Sequence, residues 1–206
     1  LNVSRLGNLI SHNASAAFFG NLYQKDKTLC VNIYKQYINS LCKKLNEFGI
    51  NVNTIPVLDV LRNNTSKILE NRVFSKNKKI VKELGKVTVD LLKKNKVGSV
   101  IKHIPGHGCS KIDSHKKMPK VKLSMNKLNK IDFYPFKKNN SQLAMTAHIL
   151  YEKIDKNNVA TFSKRIIKNI IRKTIGFKGI LISDDISMKA LKYDVVTNAK
   201  KSIEAG

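Results

Sequence analysis

Cysteine is scarce in this chain. Three occur in 206 residues, at 30, 42 and 109, and no two stand at Cys-x-x-Cys spacing. An odd, scattered set argues against a disulfide framework and fits a reducing compartment. No run of eighteen apolar residues exists, so there is no candidate transmembrane span. No basic-then-apolar leader follows Leu1. Acidic residues are few: 14 Asp and Glu face 39 Lys and Arg, for a formal net charge of +25. Arginine is also sparse, at positions 5, 62, 72, 165 and 172 only. The lysines are spread beside Asn and Ile, as in "KKNN" and "KIDKNN", which is the pattern of a solvated surface with a composition bias. No RGG run, zinc finger or compact basic arm accompanies them, so no nucleic-acid groove is expected despite the charge. Gly-x-Gly-x-x-Gly and Walker loops are absent too, which leaves a nucleotide cradle unsupported.

What is present is enough for one domain with a real core: 206 residues, 42% hydrophobic. Segment 28–48 places Tyr34, Ile38, Leu41, Leu45 and Phe48 on one helical face, with Cys30 and Cys42 as packing residues. Gly49 follows as a left-handed stop. Residues 50–60, "INVNTIPVLDV", read as a strand ending at Asp59. Segment 76–95 is helical, with Ile80, Leu84, Val87 and Leu91 in register, and 98–104, "GSVIKHI", is a strand. A short helix over 124–130 starts at the cap Ser124, and 141–150 is a third strand. A helix over 163–175 capped by Ser163, a strand over 179–185 and a helix from about 187 complete the order.

Strand and helix alternate, which predicts βαβ units and a parallel sheet. Each strand begins apolar and ends polar: Asp59, Lys102-His103, His148, Asp184-Asp185. In a parallel sheet these ends share one edge, the usual place of an active site in (βα) barrels and open α/β sheets. The richest block is "KHIPGHGCSKIDSH", which holds three of the five histidines within thirteen residues. Three roles suit it. Asp113 can orient His115 as a general acid/base; His107, Cys109, Asp113 and His115 can be metal ligands; or the block is a turn-rich loop with satisfied polar groups. In "ISDDISM" one carboxylate fits a nucleophile or metal ligand and the other a helix cap. Asp59 and His148, taken singly, read as turn, cap or satisfied rim residues, and Arg72 as a loop arginine near the rim.

The blocks "KHIPGHGCSKIDSH", "AMTAHILYEKID" and "IIRKTIGFKGILISDDISMKAL", in this order, resemble glycoside hydrolase family 3. Within it they are similar to the bacterial cytosolic β-N-acetylglucosaminidases of peptidoglycan recycling. "GINVNTIPVLDV" and "NRVFS" fit the same family, so the resemblance covers nearly the whole chain. It implies an α/β fold of (βα)₈ TIM-barrel type and hydrolysis, with retention, of terminal non-reducing β-linked N-acetylglucosamine. Carried over residue by residue, it makes Asp184 the nucleophile, His115 the acid/base and Asp113 its partner. Lys102 and His103 match a substrate-binding pair, Arg72 a sugar-contacting arginine, and Arg5 a second binding arginine. A His–Asp dyad then replaces the usual second carboxylic acid. The acid/base lies on a loop, which implies a loop that closes over the sugar.

The chain departs from the family pattern at its start. The Asp-Gln-Glu-Gly-Gly block before Arg5 is missing, and Asn2 stands where its first arginine is expected. Four strands are counted where a full barrel of roughly 250 residues has eight. The expectation is therefore an incomplete barrel spanning 1–206, lacking N- and C-terminal strands, weakly stable and weakly active as an isolated piece. The implied enzyme needs no cofactor and no metal. Its expected partner is a small saccharide or muropeptide, not nucleic acid or a membrane, and it is expected to be a cytoplasmic monomer. Two rivals stand beside it: a metal-dependent hydrolase using His103, His107, His115 and Asp184, and a basic non-catalytic module that binds nucleic acid.

Overall fold

A computed structural model describes residues 14–63, 65–66, 69–112, 114 and 117–206. Two helices come first, α1 (Ala16–Lys25) and α2 (Lys27–Glu47). Asp26 separates them and caps α2 by accepting from the Leu29 N–H. The expected α2 face is largely inward: Cys30, Tyr34, Ile38, Cys42 and Leu45 are buried. Phe48, placed on that face by periodicity, is 46% exposed because it lies past the last helical turn. Gly49 ends the helix at φ +70°, the left-handed conformation that glycine adopts with least strain.

A four-stranded sheet of order β1-β2-β4-β6 follows, with every pair parallel. Its strands are β1 (Val52–Asn53), β2 (Gly98–Ile104), β4 (Leu143–Thr146) and β6 (Ile180–Ser183). Two short strands, β3 (Lys120–Val121) and β5 (Leu150–Tyr151), pair beside it. Helix α3 (Lys78–Lys94) packs Ile80, Val81, Leu84, Thr88, Val89 and Leu92 inward, and the Tyr34 hydroxyl meets that of Thr88 at 2.7 Å. Leu84 is fully buried, so truncation to alanine should cost about 2–5 kcal/mol. Helix α4 (Met125–Lys130) starts where Ser124 accepts from the Lys127 N–H. The Ser163 hydroxyl likewise accepts from the Ile166 N–H, at the start of a π-helix over Ile166–Ile175. Helix α5 (Val195–Ala205) closes the series.

Three expectations are corrected. The strand placed over 50–60 is only β1, because Pro56 offers no N–H to a ladder. Its line resumes as a bridge from Val57 to Lys102, with the Leu58 N–H donating to the Lys102 carbonyl at 2.7 Å. The strand over 141–150 is two strands in two sheets, β4 and β5. The final helix begins at Val195, not 187: Asp185 engages Ser187 in a turn, and Asp194 caps the helix by accepting from the Thr197 N–H at 3.0 Å.

The fold agrees with a partial (βα)₈ barrel, a parallel sheet with helices packed on it. Strand β6 is an edge among the described residues, and its Ile180 is 65% exposed. No helix among the described residues is long and apolar enough to cross a membrane.

Candidate active site

Because the four strands are parallel, their C-terminal ends lie on one rim. Between Lys102 and Ile104 the β2–β4 register shifts, and the Lys102–His103 peptide is cis. Asp184 follows Ser183 at the end of β6, with its side chain 18% exposed. One of its oxygens accepts from the Asp185 N–H at 2.9 Å; the other lies 3.9 Å from His103 Nε2.

Behind His103 is Asp59, fully buried. The His103 Nδ1–H donates to Asp59 Oδ2 at 2.7 Å, and the backbone N–H groups of His103 and His107 donate to Oδ1. Burial works against ionisation of this carboxyl, but the neighbouring His103 and these hydrogen bonds outweigh it and hold its pKa below the ordinary value. The carboxylate thereby keeps a proton on His103 Nδ1 and aims Nε2 at Asp184. Sequence reasoning gave Asp59 only a turn or cap role; the one signal for more was its place at the end of the first strand line.

Lys102 is 9% exposed and donates to Thr54 Oγ1 at 3.0 Å. Burial, aided by the positive charge of Arg72, lowers its pKa to about 8, while Asp184 and Asp59 pull the other way. Arg72, half-buried, thus lies within electrostatic reach of the rim. The structure brings together Asp184, His103, Lys102 and Arg72. Arg5, Asp113 and His115 lie outside the described residues. Ser114, between the last two in sequence, is described: its carbonyl accepts from the Ala190 N–H at 3.1 Å, and its hydroxyl lies 3.7 Å from the Met188 sulfur. The middle of the Asp-Ser-His block is therefore tied to the connection that leaves β6 just after Asp184.

The Pro-Gly-His-Gly turn is packed from below. A Cβ on Gly108 would lie 1.9 Å from the Val60 carbonyl oxygen, and the Gly106 carbonyl accepts from the Tyr151 hydroxyl at 2.6 Å. Arg62 binds the buried Asp132 with two N–H groups, Nε to Oδ1 at 3.2 Å and Nη2 to Oδ2. Burial raises the Asp132 pKa against the pull of Arg62. His107 is 4% exposed, and its Nδ1 has no hydrogen-bond partner among the described residues; burial, then the nearby His103, lowers its pKa to about 4. Among the described residues no three or more His, Cys, Asp or Glu side chains are grouped to hold a metal ion. Cys30 and Cys42 are buried free thiols, as expected of packing residues.

This geometry has counterparts. The sequence model of the glycosyl hydrolase family 3 N-terminal domain matches residues 7–206. A beta-hexosaminidase A from Pseudoalteromonas piscicida is 32% identical over 203 residues, covering 88% of this chain and 33% of that protein. A beta-hexosaminidase from a Neisseria meningitidis serogroup A strain is 32% identical over 193 residues, covering 91% of this chain and 53% of that protein. Native NagZ from Neisseria gonorrhoeae superposes with a TM-score of 0.89 at 30% identity, over 100% of this chain and 60% of that one. The same enzyme in complex with N-trifluoroacetyl-D-glucosamine gives a TM-score of 0.84 at 32% identity, over 93% and 56%. The chain thus spans about a third to a half of the length of these curated relatives. With a family domain matched along nearly its whole length, the chain belongs to glycosyl hydrolase family 3.

Proposed function

We propose that the protein carrying this chain is a retaining exo-glycosidase that removes terminal, non-reducing β-linked N-acetylglucosamine. We take its substrates to be muropeptides and its site of action the cytoplasm, where it works as a monomer. Residues 1–206 are part of its catalytic barrel. The observation that carries this reading is the rim pair: an Asp184 oxygen 3.9 Å from a His103 ring that Asp59 holds by its Nδ1–H.

In the first step an Asp184 oxygen bonds to the anomeric carbon as the bond to the leaving oxygen breaks. Protonated His115 gives that oxygen its proton. In the second step neutral His115 takes a proton from water, the water oxygen bonds to the anomeric carbon, and the Asp184 carboxylate departs. An imidazole suits both tasks because its unperturbed pKa is about 6.5. Asp113 orients His115. Lys102, His103, Arg72 and Arg5 hold the sugar hydroxyls, the cations through charge-assisted hydrogen bonds.

The test is hydrolysis of 4-nitrophenyl N-acetyl-β-glucosaminide by the full-length protein, with the first-formed sugar observed by proton NMR. The β-anomer should appear first and mutarotate. No turnover, or the α-anomer first, would overturn the proposal.

A further inference from the structure

His148 stands just past β4, 1% exposed, and the scheme above gives it no task. Its Nε2 lies 3.1 Å from the Asp185 carbonyl oxygen, and its Nδ1 lies 2.8 Å from Thr161 Oγ1. A carbonyl can only accept, so Nε2 carries the proton. In the neutral ring Nδ1 is then an acceptor, and the Thr161 hydroxyl donates to it at 2.8 Å, with the Ala147 carbonyl at 3.2 Å as its second, longer acceptor. Thr146 Oγ1 lies 3.0 Å from Thr161 Oγ1, its nearer acceptor, and 3.4 Å from the Ile182 carbonyl, the longer one. The result is a buried chain of contacts through Thr146, Thr161 and His148, which ends where His148 Nε2–H donates to the main chain of Asp185. Asp185 in turn grips the nucleophile, since its own N–H donates to Asp184 Oδ1 at 2.9 Å. Burial lowers the His148 pKa, which keeps the ring in the neutral form this chain requires.

We infer that His148 is a positioning residue: through the Asp185 carbonyl it sets the orientation of the Asp184 carboxylate toward the anomeric carbon. This rests on Asp184 being the nucleophile. A tether that acts on attack geometry should appear in kcat and leave KM nearly unchanged, and a displacement of about 1 Å in a reacting group can slow a reaction ~100-fold.

Four variants of the full-length protein test it, with the nitrophenyl glycoside as substrate and thermal unfolding as a check on folding. His148→Gln puts an amide N–H near the Nε2 position and keeps the donor to Asp185. His148→Asn puts one near Nδ1 and cannot reach Asp185. His148→Leu keeps apolar bulk only. Thr161→Val removes the hydroxyl that fixes the tautomer. His148→Leu and His148→Asn should lose about 100-fold in kcat with KM within about threefold, Thr161→Val about tenfold, and His148→Gln should return to within about tenfold of wild type. A His148→Leu variant with wild-type kcat overturns the inference. Equal losses in the Gln and Asn variants also overturn it, and that comparison decides the matter if the Leu variant does not fold. Asp184→Asn, measured in parallel, separates the two claims. If it remains active, the nucleophile assignment fails; if it is inactive while His148→Leu works normally, only the positioning role fails.

Discussion

Replacing Asp59 by asparagine changes one oxygen into an amide and removes one buried charge. The carboxylate is fully buried and accepts three N–H groups, two from the backbone and one from the His103 ring at 2.7 Å. Asparagine can keep the backbone bonds with its remaining oxygen. It cannot accept from His103 Nδ1–H at the other position; its NH₂ must donate there. The His103 proton is then forced onto Nε2, the nitrogen 3.9 Å from Asp184. Hydrogen bonds to a charged partner contribute about 1.5–3 kcal/mol, so the variant should lose about 2 kcal/mol of stability in urea unfolding. Asp59→Ala, which strands the ring and both N–H groups, should lose ~3–5 kcal/mol. The catalytic effect is larger than the stability effect. A His103 ring that no longer donates from Nδ1 to a carboxylate loses its fixed orientation on the rim, and kcat/KM should fall about 100-fold, equivalent to ~3 kcal/mol of transition-state stabilisation. If Asp59→Asn unfolds within about 0.5 kcal/mol of wild type and keeps its kcat/KM, Asp59 does not hold the ring as described.

Two further expectations follow from the rim. Lys102 has a pKa lowered to about 8, so its charge and its grip on the sugar fade as pH rises through that value. In pH profiles kcat/KM should fall on the alkaline side near pH 8, and Lys102→Arg, which stays charged, should lose that limb. Stability moves the other way. The unfolded chain binds this proton more tightly than the fold, so folding stability should rise between about pH 8 and 10.5, by up to ~3 kcal/mol. Gly108→Ala should lower the unfolding temperature and the soluble yield, because its Cβ would lie 1.9 Å from the Val60 carbonyl oxygen and backbone must move. Wild-type melting of that variant would show that the turn is not packed as described.

Local features were the legible ones. Strand β2 matches the expected 98–104 because an apolar run follows a glycine and meets a Pro-Gly turn. Helices α2 and α3 were readable from their stripes, with Gly49 and Asn95 at their ends. The shared rim followed from parallel order alone. What sequence could not supply were pairings between distant residues. Asp59 meets His103 across 44 positions and Arg62 meets Asp132 across 70, and neither pair has a local pattern. Strand 50–60 was overread because its β-branched residues suit a ladder, while Pro56 breaks it. Helix α1, at Ala16–Lys25, had no reading in the sequence at all. Its interior Gly20 would press a Cβ to 1.6 Å from the Phe74 carbonyl oxygen, a close approach invisible to periodicity. For His148 the expected satisfied rim histidine is what the structure contains, and only its hydrogen-bond directions give it a task.

The most direct test of the account is to locate the covalent intermediate. The full-length protein would be treated with a fluorinated N-acetylglucosaminide that slows deglycosylation, then digested and sequenced by mass spectrometry. The added sugar mass should sit on Asp184, in the peptide that contains "ISDDISM". A label on Asp185 or on any other residue, or turnover without a trappable adduct, would contradict the assignment of Asp184 as the attacking carboxylate.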